Sequence, residues 1–228
     1  MRTLVIDTAL GACTCVVSDG ARLVACRSEV MSKGHAEKIG GLVRDVMAEA
    51  TATDGLAGGF ESLDRIGVTV GPGSFTGLRV GLAFAQGLGA SLGLPVVGIS
   101  TLAALAWSAD QGRGLTAAVI DARRGQVYLQ IFNDGAPQGQ AEALDLEAAR
   151  ARLDRDGALA GRFAGNGAGL MVEAVEDAIV NPTPEALVAL TLRADPQASP
   201  PLPLYLRAPD AIPPTRLPGQ PRAPVVAA

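Results

Sequence analysis

Apolar positions fall into short runs, continuous or alternating at a spacing of two, and longer runs at helical spacing. The short runs predict strands at Val5-Ile6 and over 13–17, 22–26, 65–70, 96–99, 127–132 and 158–164. Helical spacing predicts helices over 35–50, from 77 to about 93, over 146–153, and onward from Leu170. Strands following strands, then strands alternating with helices, predict an α/β fold of mixed sheets flanked by helices.

The pattern repeats. Val5-Ile6-Asp7 recurs as Val119-Ile120-Asp121 at an offset of 114, half of the 228 residues, and Gly11 recurs as Gly125. Each copy runs into an alternating strand that closes at Asp19-Gly20 or Asp134-Gly135, strong hairpin signals because glycine takes positive φ without steric cost. Each half then offers a glycine loop ahead of a helix, residues 71–77 and 165–169. Three features in register predict a duplicated, two-lobed chain: an N-terminal lobe over 1–102 and a smaller C-terminal lobe over 103–207. Ten of the fifteen prolines follow Ala194, so 208–228 is expected to be an extended tail.

The second predicted helix is unusual. From Gly77 every fourth residue is small (Gly77, Gly81, Ala85, Gly89, Gly93), and most of the remaining circumference is apolar. Glycine inside a helix costs about 1 kcal/mol relative to alanine, so a close backbone approach should compensate. Part of this helix must cover its own sheet. The excess apolar surface, with Ile39, Leu42, Val43, Val46 and Met47 on the preceding helix, predicts a protein–protein interface. On that view Gly81→Leu should abolish pairing and leave the monomer folded.

Composition narrows the chemistry. The chain carries a net charge of −4 and only two lysines, Lys33 and Lys38, too little clustered cation to hold nucleic acid alone. Three cysteines near the N-terminus suit reduced thiols, and the apolar start is broken by Asp7, Thr8 and Gly11. A soluble, cytoplasmic protein with no membrane contact is expected. His35 is the only histidine, which argues against a zinc peptidase or a histidine-based triad. The loop Gly71-Pro72-Gly73-Ser74 can cradle a phosphate at a helix N-terminus, or Ser74 can simply cap that helix. Asp7 and Asp121 can face one cleft and hold a metal–phosphate group, or each aspartate can tie down its own turn. Arg123-Arg124 can hold an anion in the second hairpin, or form a solvated turn.

Four segments together carry a resemblance: Val5-Ile6-Asp7-Thr8, His35-Ala36-Glu37, Gly71-Pro72-Gly73-Ser74-Phe75-Thr76-Gly77-Leu78-Arg79, and Asp121-Ala122-Arg123-Arg124-Gly125-Gln126-Val127-Tyr128. They resemble the TsaB (YeaZ) family over about residues 1–205, and Leu204-Tyr205-Leu206-Arg207 resembles its closing segment. The resemblance implies an actin-like fold of the sugar-kinase and heat-shock-ATPase superfamily. It implies a paralogue of TsaD, the subunit that transfers threonylcarbamoyl to the tRNA adenosine beside the anticodon. TsaD-like proteins carry a His-x-x-x-His metal pair; here the second position is Ile39, so no metal site is expected.

It further implies a non-catalytic scaffold without a cofactor, pairing with TsaD or with itself, joined by the ATPase TsaE, and meeting tRNA indirectly. Pairing would use Ile39, Leu42, Val43, Val46, Met47, Gly77, Arg79, Gly81, Ala85 and Gly89. Asp7, Gly71, Gly73, Ser74, Asp121 and Arg123 would form a vestigial phosphate site, with at most weak nucleotide binding. The competing reading is a self-sufficient ATPase or kinase using Asp7 and Asp121.

Overall fold

The computed structural model describes residues 1–54, 58–173 and 179–207. The predicted tail over 208–228 lies outside the described residues. Strands β1 (Arg2–Asp7), β2 (Ala12–Asp19) and β3 (Arg22–Val30) form an antiparallel meander, closed at Gly20 with φ 56°. Helix α1 (His35–Asp54) leads to β4 (Arg65–Gly71), parallel to β1, and α2 (Phe75–Leu92) leads to β5 (Val96–Ser100), parallel to β4. The sheet order is β3-β2-β1-β4-β5.

Alternation along β1 builds a core on each face. Leu4 and Ile6 pack under α1 and α2 with Cys13, Cys15, Val46, Ile66 and Leu82. Val5 points the other way, to Val16, Ile99 and Leu187, where α3 (Thr101–Asp110) and α5 (Pro184–Arg193) cover the sheet. A strand buried on both faces reads as the continuous apolar run seen in the sequence.

The second half repeats this plan in shortened form. Strands β6 (Leu115–Arg123) and β7 (Gln126–Asn133) pair antiparallel, and β10 (Arg162–Ala164) lies parallel to β6. Two short strands, β8 (Ala136–Pro137) and β9 (Glu142–Asp145), share the outer edge of β7 where the first half has one long strand. Helix α4 (Leu146–Arg155) covers one face and α3 the other. The half-length echo in the sequence is thus the duplication of an actin-like fold.

Two elements depart from expectation. The predicted strand over 158–164 is a 3-10 turn, Ala158–Ala160, followed by the three residues of β10. At Leu170 the described residues form a 3-10 turn, Ala168–Leu170, and part of the predicted helix lies outside the described residues at 174–178. The next described helix is α5, capped by Thr183 with Pro184 in its first turn. Helix α5 lies so close to the first sheet that a Cβ on Gly67 would stand 2.2 Å from Thr191 Oγ1. Beyond α5 the chain forms a strap: Ser199 O accepts from Gly98 N, Leu204 N donates to Val70 O, and Arg207 Nη1 donates to Ala122 O. A division at residue 102 therefore misses a return of the chain to the first sheet.

The pairing residues require correction. The glycine ridge of α2 faces the chain's own sheet. A Cβ on Gly77 would meet Thr8 O at 2.2 Å, one on Gly81 would meet Thr8 Oγ1 at 2.3 Å, and one on Gly89 would meet Val96 Cγ2 at 2.3 Å. Ala85 is fully buried, and Ile39, Leu42, Val43, Val46 and Met47 are core residues exposed by 6 % or less. The close approach deduced from the glycines is real, but its partner is Thr8 and β5 of the same molecule. Of the ten residues, Arg79 alone is solvent-exposed.

Candidate functional site

The two matching aspartates end matching strands, and each closes its own turn. Asp7 Oδ1 accepts from Ala9 N at 2.9 Å, and Asp121 Oδ1 accepts from Arg123 N at 2.7 Å. Beyond that their surroundings differ. Asp7 is buried and also accepts from Thr69 Oγ1 on β4 at 2.7 Å. Burial pushes its carboxyl above the ordinary range, opposed by these two hydrogen bonds and by the nearby His35. Asp121 is partly exposed, lies 3.1 Å from Arg123 Nη1, and is held through its own N–H by Asn166 Oδ1 at 3.0 Å. Arg123 and Arg124 both take positive φ, 64° and 56°, to make this turn.

A cleft of about 350 Å³ opens between the halves. Gly73, Ser74, Asp121 and Arg123 line it, together with Ala9–Gly11, Tyr128 and Asn166. Asp7 and Gly71 are not among its lining residues, so the six predicted positions do not form one surface. The glycine loop is committed to the chain itself. A Cβ on Gly73 would stand 2.3 Å from Ala9 O, Ser74 N donates to Ala9 O at 2.7 Å, and Ser74 Oγ accepts from Gly77 N at 3.2 Å. Ser74 is a helix cap, and it uses a donor that a phosphate cradle would need.

His35 opens α1, is buried, and leaves Nε2 without a hydrogen-bond partner. Its nearness to Asp7 was not visible in the sequence, because β1 and α1 meet only through the fold. Cys13 and Cys15 share one buried face of β2 as free thiols. The hydrogen bond with Cys13, reinforced by burial, pushes the Cys15 thiol far up, so it is no nucleophile. Among the described residues no three His, Cys, Asp or Glu side chains are placed to hold a metal ion.

The outward side of α1 and α2 is the second candidate surface. Gly40 and Arg44 on α1, with Ala83 and Gly87 on α2, are exposed, and Val80 and Phe84 are half-buried between them. A Cβ on Gly40 would sit 3.8 Å from Phe84 Cε2, which marks where the two helices touch. At the start of α2 the Arg79 guanidinium lies 3.6 Å over the Phe75 ring and donates from Nε to Tyr205 Oη at 3.1 Å. Phe75 and Tyr205 are 52 % and 45 % exposed, with ring centroids 5.5 Å apart. Of this group only Arg79 was assigned to pairing from the sequence. The signal for the rest was a second small-and-apolar row, Val80, Ala83 and Gly87, hidden beside the glycine ridge.

Sheet order and duplication define the class: a two-lobed actin-like protein. The family model described as TsaD, tRNA N6-adenosine threonylcarbamoyltransferase, matches residues 28–190. YeaZ from Pseudomonas aeruginosa superposes with a TM-score of 0.72 at 30 % identity, over 90 % of this chain and 99 % of that one. An uncharacterized protein of Mycobacterium tuberculosis is 38 % identical over 92 % of this chain and 93 % of its own length. The tRNA threonylcarbamoyladenosine biosynthesis protein TsaB of Escherichia coli is 38 % identical over 56 % of this chain and 53 % of its own. The chain belongs to the TsaB (YeaZ) family.

Proposed function

We propose that this chain is a non-catalytic subunit in the synthesis of threonylcarbamoyladenosine in tRNA, pairing with a TsaD-type catalytic subunit. Relatives named for that biosynthesis and a family model named for the transferase support the pathway. The observation that carries the pairing is the outer face of α1 and α2. The inner face of α2 is saturated by its own sheet, yet Val80, Ala83, Phe84 and Gly87 continue the small and apolar pattern outward. Small residues let a second helix pair approach closely. The same face would serve a homodimer when the catalytic subunit is missing, and the ATPase TsaE would join the assembled pair.

A scaffold role is consistent with a site whose aspartates and glycine loop are engaged in holding turns. In this reading tRNA is held chiefly by the partner, in the cytoplasm. The cleft works without a resident cofactor and retains at most weak affinity for a nucleotide.

The test is co-purification with the TsaD-type subunit of the same organism, then tRNA modification with and without this chain. Pairing is expected, with modification lost when this chain is omitted. Ala83→Arg should prevent pairing and leave the Tm of the free protein unchanged. Magnesium-dependent ATP hydrolysis by this chain alone, abolished by Asp7→Ala, would instead establish the ATPase reading.

A further inference from the structure

We infer that Arg79, clamped between Phe75 and the strap residue Tyr205, is the anchor that takes a carboxylate side chain of the partner subunit. The inference rests on the pairing proposed above and adds the chemistry of its central contact.

An arginine on an exposed helix face ordinarily samples many rotamers, and ordering it on binding costs free energy. Arg79 is already ordered. Phe75, one turn earlier on α2, presents its ring face at 3.6 Å, and Tyr205 Oη takes the Nε proton at 3.1 Å. The Tyr205 centroid lies 5.9 Å from the guanidinium carbon on another side. Among the described residues no bond within the chain occupies Nη1 or Nη2. Two coplanar N–H groups on a fixed plane match the two oxygens of a carboxylate.

The surroundings favour a protein over a nucleic acid. The stack is a single cation framed by aromatic rings that are about half exposed, and Leu202, at 63 % exposure, precedes Tyr205 on the same strap. A phosphate backbone is gripped by several clustered cations, and the chain as a whole is acidic at −4. Arg and Tyr surrounded by apolar area are the composition of a protein interface core. The strap also has a use here. It is pinned to α2 by Gln86 Nε2 donating to Pro201 O at 2.6 Å, and that bond helps fix where Tyr205 stands.

The experiment measures affinity of the full chain for the TsaD-type subunit by calorimetry, for wild type, Arg79→Ala, Arg79→Lys and Tyr205→Ala. Arg79→Ala is expected to weaken Kd about 30-fold, the loss typical of an interface hot spot. Arg79→Lys should recover little of it, because an ammonium lacks the planar fork. The gap between wild type and Arg79→Ala should narrow as salt is raised. Tyr205→Ala should lose about tenfold by freeing the guanidinium. The Tm of the free Arg79 variants should match wild type.

If wild type pairs and Arg79→Ala pairs as tightly, the inference is overturned and the pairing stands. If wild type does not pair, both fall. An Arg79→Ala effect confined to self-association, or to tRNA binding by the assembled pair, would overturn the assignment to a partner carboxylate.

Discussion

The two halves share a plan and spend it differently. In the first, β1–β5 carry helices on both faces, and α1 and α2 run 20 and 18 residues. In the second, β10 has three residues, the covering helix α4 has ten, and no described element answers to α2 or β5. Helix α4 carries Glu147, Arg150, Asp154 and Arg155 on its exposed side beside Ala148 and Ala151, whereas the exposed side of α2, apart from Arg79 and Gln86, is small or apolar. Duplication supplied two similar frames. The first carries the exposed small and apolar row of α2, and that asymmetry is the ground for the proposed interface being there and not at the cleft.

The largest expected effect separates the inside of α2 from its outside. Gly81→Leu drives a side chain into Thr8 Oγ1, already 2.3 Å from the ideal Cβ, and should cost about 3 kcal/mol or leave no folded protein. Ala83→Leu, two residues on and exposed, should stay within about 0.5 kcal/mol of wild type. Urea denaturation measures both. A Gly81→Leu protein as stable as wild type would mean that the ridge does not rest on Thr8. Gly81→Leu is therefore a test of folding, and Ala83 is the position that probes pairing.

This reversal shows what the sequence could convey. Periodicity revealed that Gly77, Gly81, Ala85 and Gly89 share one face and that the face meets something at close range. It could not reveal which of two apolar faces turns toward the sheet, because a helix apolar nearly all round has no strong polar side to orient it. The half-length repeat was legible because Val5-Ile6-Asp7 and Val119-Ile120-Asp121 are buried strand segments in register, each with an aspartate that closes the turn after it. Helix α5 was missed although Thr183-Pro184 is a good start signal, since its ten residues give little periodicity. The strap contacts, Leu204 to Val70 and Arg207 to Ala122, span sequence distances that no local pattern encodes. The same holds for His35 beside Asp7.

A middle-sized effect asks whether the unequal halves unfold together. Ser74 caps α2 through Gly77 N at 3.2 Å, and Asp145 caps α4 through Ala148 N at 2.8 Å. Ser74→Ala and Asp145→Ala should each cost about 1 kcal/mol, Asp145 somewhat more because its carboxylate also meets the positive helix end. Helix α3 packs on both sheets and the strap runs from the first sheet to Ala122 in the second, so both variants should lower one shared calorimetric transition. Two transitions, each moved by only one variant, would show the halves to be thermodynamically separate.

The smallest effect compares the two aspartates, and its sign is the point. Asp7 is buried with its pKa raised, so the folded state holds the Asp7 proton more tightly than the unfolded chain does. Ionising Asp7 therefore costs stability. That cost is absent below the ordinary carboxylate range, grows as pH rises toward the raised value, and is complete above it. Asp7→Asn keeps an Oδ1 that can accept from both Ala9 N and Thr69 Oγ1 while removing the charge. It should raise Tm near pH 7, with the gain fading as pH falls to about 4. Asp121→Asn keeps the bond from Arg123 N but gives up a largely exposed ion pair, so it should lower Tm slightly, and less so in high salt. Thermal melts of both variants across this pH range read the contrast directly. A Tm gain at Asp121, or none at Asp7, would mean that burial does not distinguish these two turns.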